Sequence, residues 1–135
     1  MTRIESNTVE INNTAEKVYN FLSDLNNFEK LMPEQVINWK SDENSCSFTI
    51  KGMTDLSMKI SEKTPSSKIV IIPGAKPPFD FSLIIQLKEL KENFINAQII
   101  FDAELSMMLQ MLAKTPLQNF VNLLVSKLKE LGEKL

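Results

Sequence analysis

The stretch that decides the fold is residues 94–135, which read FINAQIIFDAELSMMLQMLAKTPLQNFVNLLVSKLKELGEKL. From 94 to 105 every second residue is apolar, and the residues between them are mostly polar. This period of two predicts an antiparallel strand with one buried face. The apolar members are Ile95, Ala97, Ile99, Phe101, Ala103 and Leu105.

A methionine cluster and a helix follow this strand. Met107, Met108, Met111 and Leu112 stand at helix-like spacing. Thr115 and Pro116 then supply an N-cap and a first-turn proline, so a second helical segment is predicted to start there. Its apolar residues recur at intervals of three and four, which lines one side of a helix of about four turns. They are Leu117, Phe120, Val121, Leu124, Leu128 and Leu131.

Composition limits the possible functions. The 135 residues fit one domain, and a net charge of −2 with scattered lysines gives no basic footprint for nucleic acid. No apolar run approaches the ~20 residues of a membrane span, and no leader pattern is visible, so a cytoplasmic protein is expected. The single cysteine, Cys46, excludes an internal disulfide. Histidine is absent, which removes the commonest metal ligand and general base.

The N-terminal part predicts one strand and two helices. Glu5 to Ile11 alternates as a strand does, and Asn13 with Glu16 forms a plausible capping box. The helix that follows buries Val18, Phe21, Leu22 and Leu25. A second short helix, about Phe28 to Met32, is stopped by Pro33.

Only strands are predicted between this point and the C-terminal unit. Short turn-rich pieces separate them, too short for parallel crossovers, so an antiparallel sheet on the C-terminal helix is the economical arrangement. The strands are Val36 to Lys40, Cys46 to Lys51, Leu56 to Ser61, Ile69 to Ile72 and Phe79 to Leu90.

The chain resembles the START-like or SRPBCC superfamily, which includes polyketide cyclases, lipid-transfer domains and birch-pollen-allergen-type proteins. The likeness extends over residues 1–135, and it rests on the opening strand and the apolar helix, aspartate, aromatic and proline segment after it. The residues are Val9 to Asn12, Thr14, Ala15, Glu16, Val18, Phe21, Leu22, Asp24, Phe28, Leu31, Met32 and Pro33. The resemblance implies an α+β helix-grip fold: a curved antiparallel sheet of about seven strands, two short helices after strand 1, and a hydrophobic cavity under the last helix.

The residues that would line this cavity favour a binding protein over an enzyme. Among the predicted inward positions only Cys46 is ionisable, and without histidine it is better explained as a small core residue. Glu5, Asn7, Tyr19 and Asn38 are the polar candidates for catalysis, and rim hydrogen bonding is their simpler explanation. No metal-ligand constellation or cofactor motif is present.

The expected ligand is a hydrophobic or amphipathic small molecule, such as a lipid, isoprenoid or aromatic metabolite. Adaptable methionines around small alanines suit such a pocket, although the same side chains would also fill a core. A cyclase- or hydrolase-like enzyme is the alternative. The predicted lining consists of Trp39, Phe48, Met58, Phe81, Phe101, Met107, Met111 and Phe120.

A third alternative is a protein-interaction module. Val70, Ile72, Ile84 and Ile100 are predicted to point away from the core, where they would form an apolar patch on the outer sheet face. Such a patch can be a homodimer surface. These residue types are also good strand formers, which explains them without a partner.

Overall fold

One sheet of eight strands dominates the computed structural model, which describes residues 2–51, 55–74 and 80–135. All neighbours are antiparallel, in the order β1-β8-β7-β6-β5-β4-β3, and β2 also pairs with β8. The predicted antiparallel sheet is confirmed, with one strand more than the seven expected. The strands are β1 Thr2–Glu5, β2 Val9–Ile11, β3 Val36–Ser41, β4 Ser45–Ile50, β5 Asp55–Thr64, β6 Lys68–Pro73, β7 Phe81–Lys91 and β8 Phe94–Ala103.

The extra strand arises because the predicted first strand is interrupted at Ser6. The Ser6 side chain is buried, and its Oγ accepts the backbone N–H of Ile99 at 2.9 Å. A side chain thus takes a position in the ladder that a backbone carbonyl would otherwise hold. The prediction of one strand from Glu5 to Ile11 is therefore wrong, and two short strands pair with β8 on either side of the break.

Two short helices follow, as predicted, but with different starts. Helix α1, Ala15–Leu22, is capped by Thr14, whose Oγ1 accepts the N–H of Lys17. The predicted cap, Asn13, instead donates its side-chain N–H to the carbonyl of Gly132. The second short helix is a 3-10 helix that spans Leu25–Leu31 and so begins three residues earlier than predicted.

The C-terminal helix α2, Met107–Gly132, is one continuous helix. Ser106 caps it, since its Oγ accepts the N–H of Leu109 at 3.2 Å. The prediction that this helix starts at Thr115 is wrong, because Pro116 lies inside it. Proline has no N–H for the carbonyl four residues earlier, that of Leu112, so one hydrogen bond of the helix is missing at this point. Leu112 is 68% exposed.

The core lies between the sheet and the helices. α2 contacts β1, β2, β8 and the 3-10 helix. The predicted inward positions are largely buried, and Phe79, at the start of one predicted strand, lies outside the described residues. The fully or nearly buried strand residues include Ile11, Cys46, Phe48, Met58, Ile69, Ile71, Phe81, Leu83, Ile85, Leu87, Ile95, Ala97, Ile99, Phe101 and Ala103.

Candidate functional site

Two stacked aromatic pairs mark the inner face of the sheet. Trp39 on β3 stacks on Phe48 of β4, and Phe81 on β7 stacks on Phe101 of β8, each with ring centroids 5.3 Å apart. Four strand spacings separate β4 from β8, or roughly 20 Å along the sheet. The pairs therefore stand at opposite sides of the inner face.

Met58 on β5 lies between the two pairs. Its register partners are Cys46 on β4 and Pro73 on β6. It is 4% exposed and belongs to the same buried cluster as Phe48, Phe81 and Phe101. The structure thus places four of the predicted lining residues in one buried apolar cluster.

A β-bulge places Trp39 against Phe48. Ile37 pairs with Thr49 and Lys40 pairs with Ser47, so both Asn38 and Trp39 stand opposite a single residue of β4. Asn38 takes a left-handed backbone conformation with φ 56°, which asparagine tolerates better than most residues. The bulge was not predicted, because alternation of apolar residues carries no signal for one extra residue.

Two buried polar atoms lack a hydrogen-bond partner in the part of the chain that the structure describes, the Trp39 indole Nε1 and the Thr2 Oγ1. They lie on the two edge strands, β3 and β1. An unsatisfied buried donor costs about 1–3 kcal/mol relative to a satisfied one. Such atoms are therefore positions where water or a polar ligand atom would be held.

A groove of about 440 Å³ opens along strands β3, β4 and β5. A short hydrogen-bond chain crosses it, in which Asn38 Nδ2 donates to Thr49 Oγ1 and Thr49 Oγ1 donates to Asp55 Oδ1 at 2.7 Å. Its residues combine a polar rim with aromatic and aliphatic groups. They are Asn38, Trp39, Lys40, Ser47, Phe48, Thr49, Asp55 and Leu56.

Among the described residues, helix α2 packs on the core over roughly its second half, from Leu117 onward. Its side chains hydrogen-bond to the N-terminal strands from Gln118 onward, where Gln118 Nε2 donates to the Glu5 carbonyl at 2.7 Å. Further along, Asn122 Oδ1 accepts the N–H of Asn7, and Lys129 donates to the Glu10 carbonyl. Leu124, Val125 and Leu128 are fully buried in this half.

Before Pro116, the described residues leave the inner side of α2 exposed. Side chains that are a whole number of turns apart on an α-helix point in the same direction, and Met107 and Val125 are such a pair. Met107 is 81% exposed, whereas Val125 is fully buried. Lys114 and Gly132 form a second pair of this kind, in which Lys114 is exposed and Gly132 is buried. The helix therefore overhangs the sheet at the end where β7 begins and β8 ends.

The predicted lining residues on α2 are not joined to the others. Met107 and Met111 are 81% and 82% exposed, and Met108 is 72% exposed, so the structure does not bring them together with Met58. Phe120 is half-buried and packs against the core cluster. Met107, Met108 and Met111 thus fill no part of the core in this structure.

Ionisable groups are sparse on the inner face. Burial raises the pKa of the Cys46 thiol to about 12, so the thiol is neutral near pH 7. Glu5, Asn7 and Asn38 are exposed and Tyr19 is half-buried. Within residues 2–51, 55–74 and 80–135 no three His, Cys, Asp or Glu side chains are grouped to hold a metal ion.

The predicted outer patch forms a row across three strands. Val70 pairs with Ile84, and Ile84 pairs with Ile100. Ile100 is buried within the domain, with 3% exposure, and Val70, Ile72 and Ile84 are half-buried. Adjacent polar groups include the Arg3–Asp102 ion pair, whose N–O distance is 2.8 Å. The role of this row as a homodimer surface stays a prediction.

Solved structures share this architecture over nearly the whole chain. The protein XoxI from Bacillus cereus superposes with a TM-score of 0.77 at 12% identity, over 98% of this chain and 96% of that one. A START superfamily protein from Mycobacterium smegmatis gives 0.71 at 15% identity, over 98% and 97%. The fold is that of the START-like proteins.

The similarity at these identities is one of fold. An uncharacterised protein from Bacillus thuringiensis matches equally well, with a TM-score of 0.75 at 12% identity over 96% of this chain and 97% of that one. No family model and no curated protein matches the sequence. Among the described residues, no helix has the length and apolar character needed to cross a membrane.

Proposed function

We propose that this START-like domain binds a hydrophobic or amphipathic small molecule, such as a lipid, isoprenoid or aromatic metabolite, without transforming it. The observation that carries the proposal is the exposure, within the described part of the chain, of the inner side of α2 next to an apolar, aromatic sheet face. Met107 is exposed where Val125 is buried, at the end of the sheet that holds Phe81 and Phe101. A ligand entering there would meet apolar groups with few charges to desolvate.

The proposed binding surface runs from this opening toward the Trp39–Phe48 pair. Burial of apolar ligand surface would supply most of the affinity. The unpartnered Trp39 Nε1 would additionally favour a ligand with a hydrogen-bond acceptor at that end. The residues proposed to contact the ligand are Trp39, Phe48, Met58, Phe81, Phe101, Met107, Met111 and Phe120.

Catalysis is not part of the proposal. General acid–base chemistry needs a titratable group within hydrogen-bond reach of the reacting atom. The inner-face thiol of Cys46 has its pKa raised to about 12 by burial, which suppresses the nucleophilic thiolate. The START superfamily neighbour supports a binding fold, and a chain that depends on no disulfide suits the cytoplasm.

Uptake of the uncharged fluorophore N-phenyl-1-naphthylamine tests the proposal. Phe101→Trp enlarges a buried side chain on the inner face, and Met111→Trp enlarges an exposed one beside the opening. We expect each variant to bind the fluorophore at least about tenfold more weakly, as measured by the apparent affinity from a fluorescence titration. Leu123→Trp is the matched control, since Leu123 is 49% exposed on the seated half of the same helix.

The proposal fails if both Phe101→Trp and Met111→Trp take up the fluorophore as the wild type does. Circular dichroism of each variant separates a lost fold from a lost site. Native mass spectrometry of the protein purified from its own source then identifies the ligand class by a co-purifying mass. A protein that carries no such mass and takes up no fluorophore would instead have a filled core.

A further inference from the structure

The first two turns of α2 form an apolar surface that is largely exposed among the residues that the structure describes. We call residues 107–113 the α2 tip. Its large side chains are exposed on several sides of the helix: Met107 81%, Met108 72%, Leu109 43%, Met111 82% and Leu112 68%. A helix that is apolar all round is normally buried in a protein core or in lipid.

We propose that the α2 tip inserts into the interfacial layer of a lipid surface. The arrangement around the helix supports this occupant over a second protein. With about 3.6 residues per turn, Met107 and Leu109 point to nearly opposite sides of the helix. Met108 and Leu112, one turn apart, share a third direction. A rigid partner covers one side of a helix, whereas a fluid layer surrounds it.

The size of the tip points the same way. A stable protein interface takes about 20–30 residues from each partner, and the tip offers five large apolar ones. Seven helical residues extend for about 10 Å, which matches the ~5–10 Å depth that interfacial helices reach. The tip is thus small for a dimer and of the right size for shallow insertion.

The polar groups of the tip are already satisfied or lie at its ends. Gln110 is its one polar residue, and Gln110 Nε2 donates to the Leu105 carbonyl at 3.2 Å. Ser106 caps the helix start. Residues 104–116 carry one acid, Glu104, and one base, Lys114. Binding is therefore expected to depend on apolar contact and not on lipid charge.

Flotation with phosphatidylcholine vesicles tests the proposal on the intact chain. We expect the wild type to float with the vesicles, and the double variant Met107→Glu, Met111→Glu to lose at least about tenfold in partition coefficient. Leu123→Glu, on the seated half of α2, should stay within about twofold of the wild type. Adding anionic lipid or about 0.5 M salt should change binding by less than about twofold.

Three results would overturn the proposal. The wild type could remain unbound at millimolar lipid, or it could bind only anionic vesicles and be released by salt, which would indicate surface charge. Light scattering could also show a dimer that the Met107→Glu, Met111→Glu variant dissociates, which would identify the occupant as a second copy. Both substituted side chains are largely exposed, so the fold should persist, and thermal unfolding checks this.

Discussion

Asn13 joins the start of helix α1 to the end of helix α2. Its side-chain Nδ2 donates to the carbonyl of Gly132 at 2.8 Å and to that of Leu135 at 3.3 Å. Its Oδ1 accepts the N–H of Thr14 at 2.8 Å. One buried amide therefore satisfies backbone groups at two helix ends that are far apart in the chain.

We expect Asn13→Ala to lower the free energy of unfolding by about 1–3 kcal/mol, since it removes the three hydrogen bonds that the buried Asn13 side chain makes. Urea denaturation followed by far-UV circular dichroism measures the change. Asn12→Ala is the matched control, because the Asn12 side chain bonds to the Glu133 carboxylate in an exposed position. Equal losses in the two variants would show that burial of Asn13 is not what matters.

The Asn13 contacts also explain where reasoning from the sequence stops. The pattern Asn13 to Glu16 satisfied the rule for a capping box, and the helix did begin within two residues of it. Which of Asn13 and Thr14 caps α1 depends on Gly132, which is distant in sequence. In the same way, Ser6 interrupts the first strand through a bond to Ile99. Local patterns predicted the elements, and long-range hydrogen bonds set their ends.

The predicted residues of the candidate site also fall into two groups, those that a local pattern could place and those that it could not. Phe48, Met58, Phe81 and Phe101 were predicted from strand alternation, and all four are buried on the inner face. Met107 was assigned to the same surface because an unbranched thioether side chain adapts to ligands of varied shape. Apolar periodicity cannot show that a helix overhangs its sheet, since exposure there depends on where the sheet ends.

Cys46 should make stability depend on pH in the alkaline range. Burial raises its pKa from 9.0 to about 12 in the folded protein, so the unfolded chain loses the thiol proton first. The contribution of this thiol to the free energy of unfolding is fully present below pH 9. It falls as the pH rises from about 9 toward 12, by at most ~1.4 kcal/mol per pH unit.

The comparison of wild type with Cys46→Val isolates this effect, since lysines also titrate in the range. We expect the variant to lose less stability between pH 8 and about 10.5 in urea denaturation. Iodoacetamide should label the folded wild type only on unfolding. Rapid labelling of folded protein at pH 8, or identical pH profiles of the two proteins, would contradict the assignment of a buried neutral thiol.

Trp39 has an indole N–H that contributes nothing through hydrogen bonding within the described residues. Trp39→Phe removes this group and keeps a ring to stack on Phe48, so we expect the free energy of unfolding to change by less than about 1 kcal/mol. Trp39→Ala loses the stack and the half-buried ring, and should cost roughly 2–4 kcal/mol. A large loss in Trp39→Phe would reveal a bound water or ligand on the indole.

The outer row gives the predicted homodimer a direct test. A dimer on this face would bury Val70 and Ile84, and Ile84→Lys would place a charge at its centre. If this face forms a homodimer, sedimentation velocity should show a dimer for the wild type and a monomer for this variant. Gln86→Lys is the control, because Gln86 is an exposed residue on the same strand. A wild type that is still monomeric at about 100 µM would contradict the prediction. A specific dimer should have a dissociation constant below roughly that concentration.

The two halves of α2 should differ in hydrogen exchange, because only the second half has a core beneath it. Opening of residues 107–116 breaks few buried contacts, whereas opening near Leu124 and Leu128 exposes fully buried side chains. Pro116 separates the halves and removes one rung of the helix ladder. We expect amides of the first half to exchange at least about a hundredfold faster than those of residues 121–131.

An apolar molecule bound under the overhang would slow the first half selectively, and so would vesicles that take up the α2 tip. Uniform protection along α2 in the free protein would mean that the first half is packed in solution, and the opening proposed as the ligand entrance would then be closed.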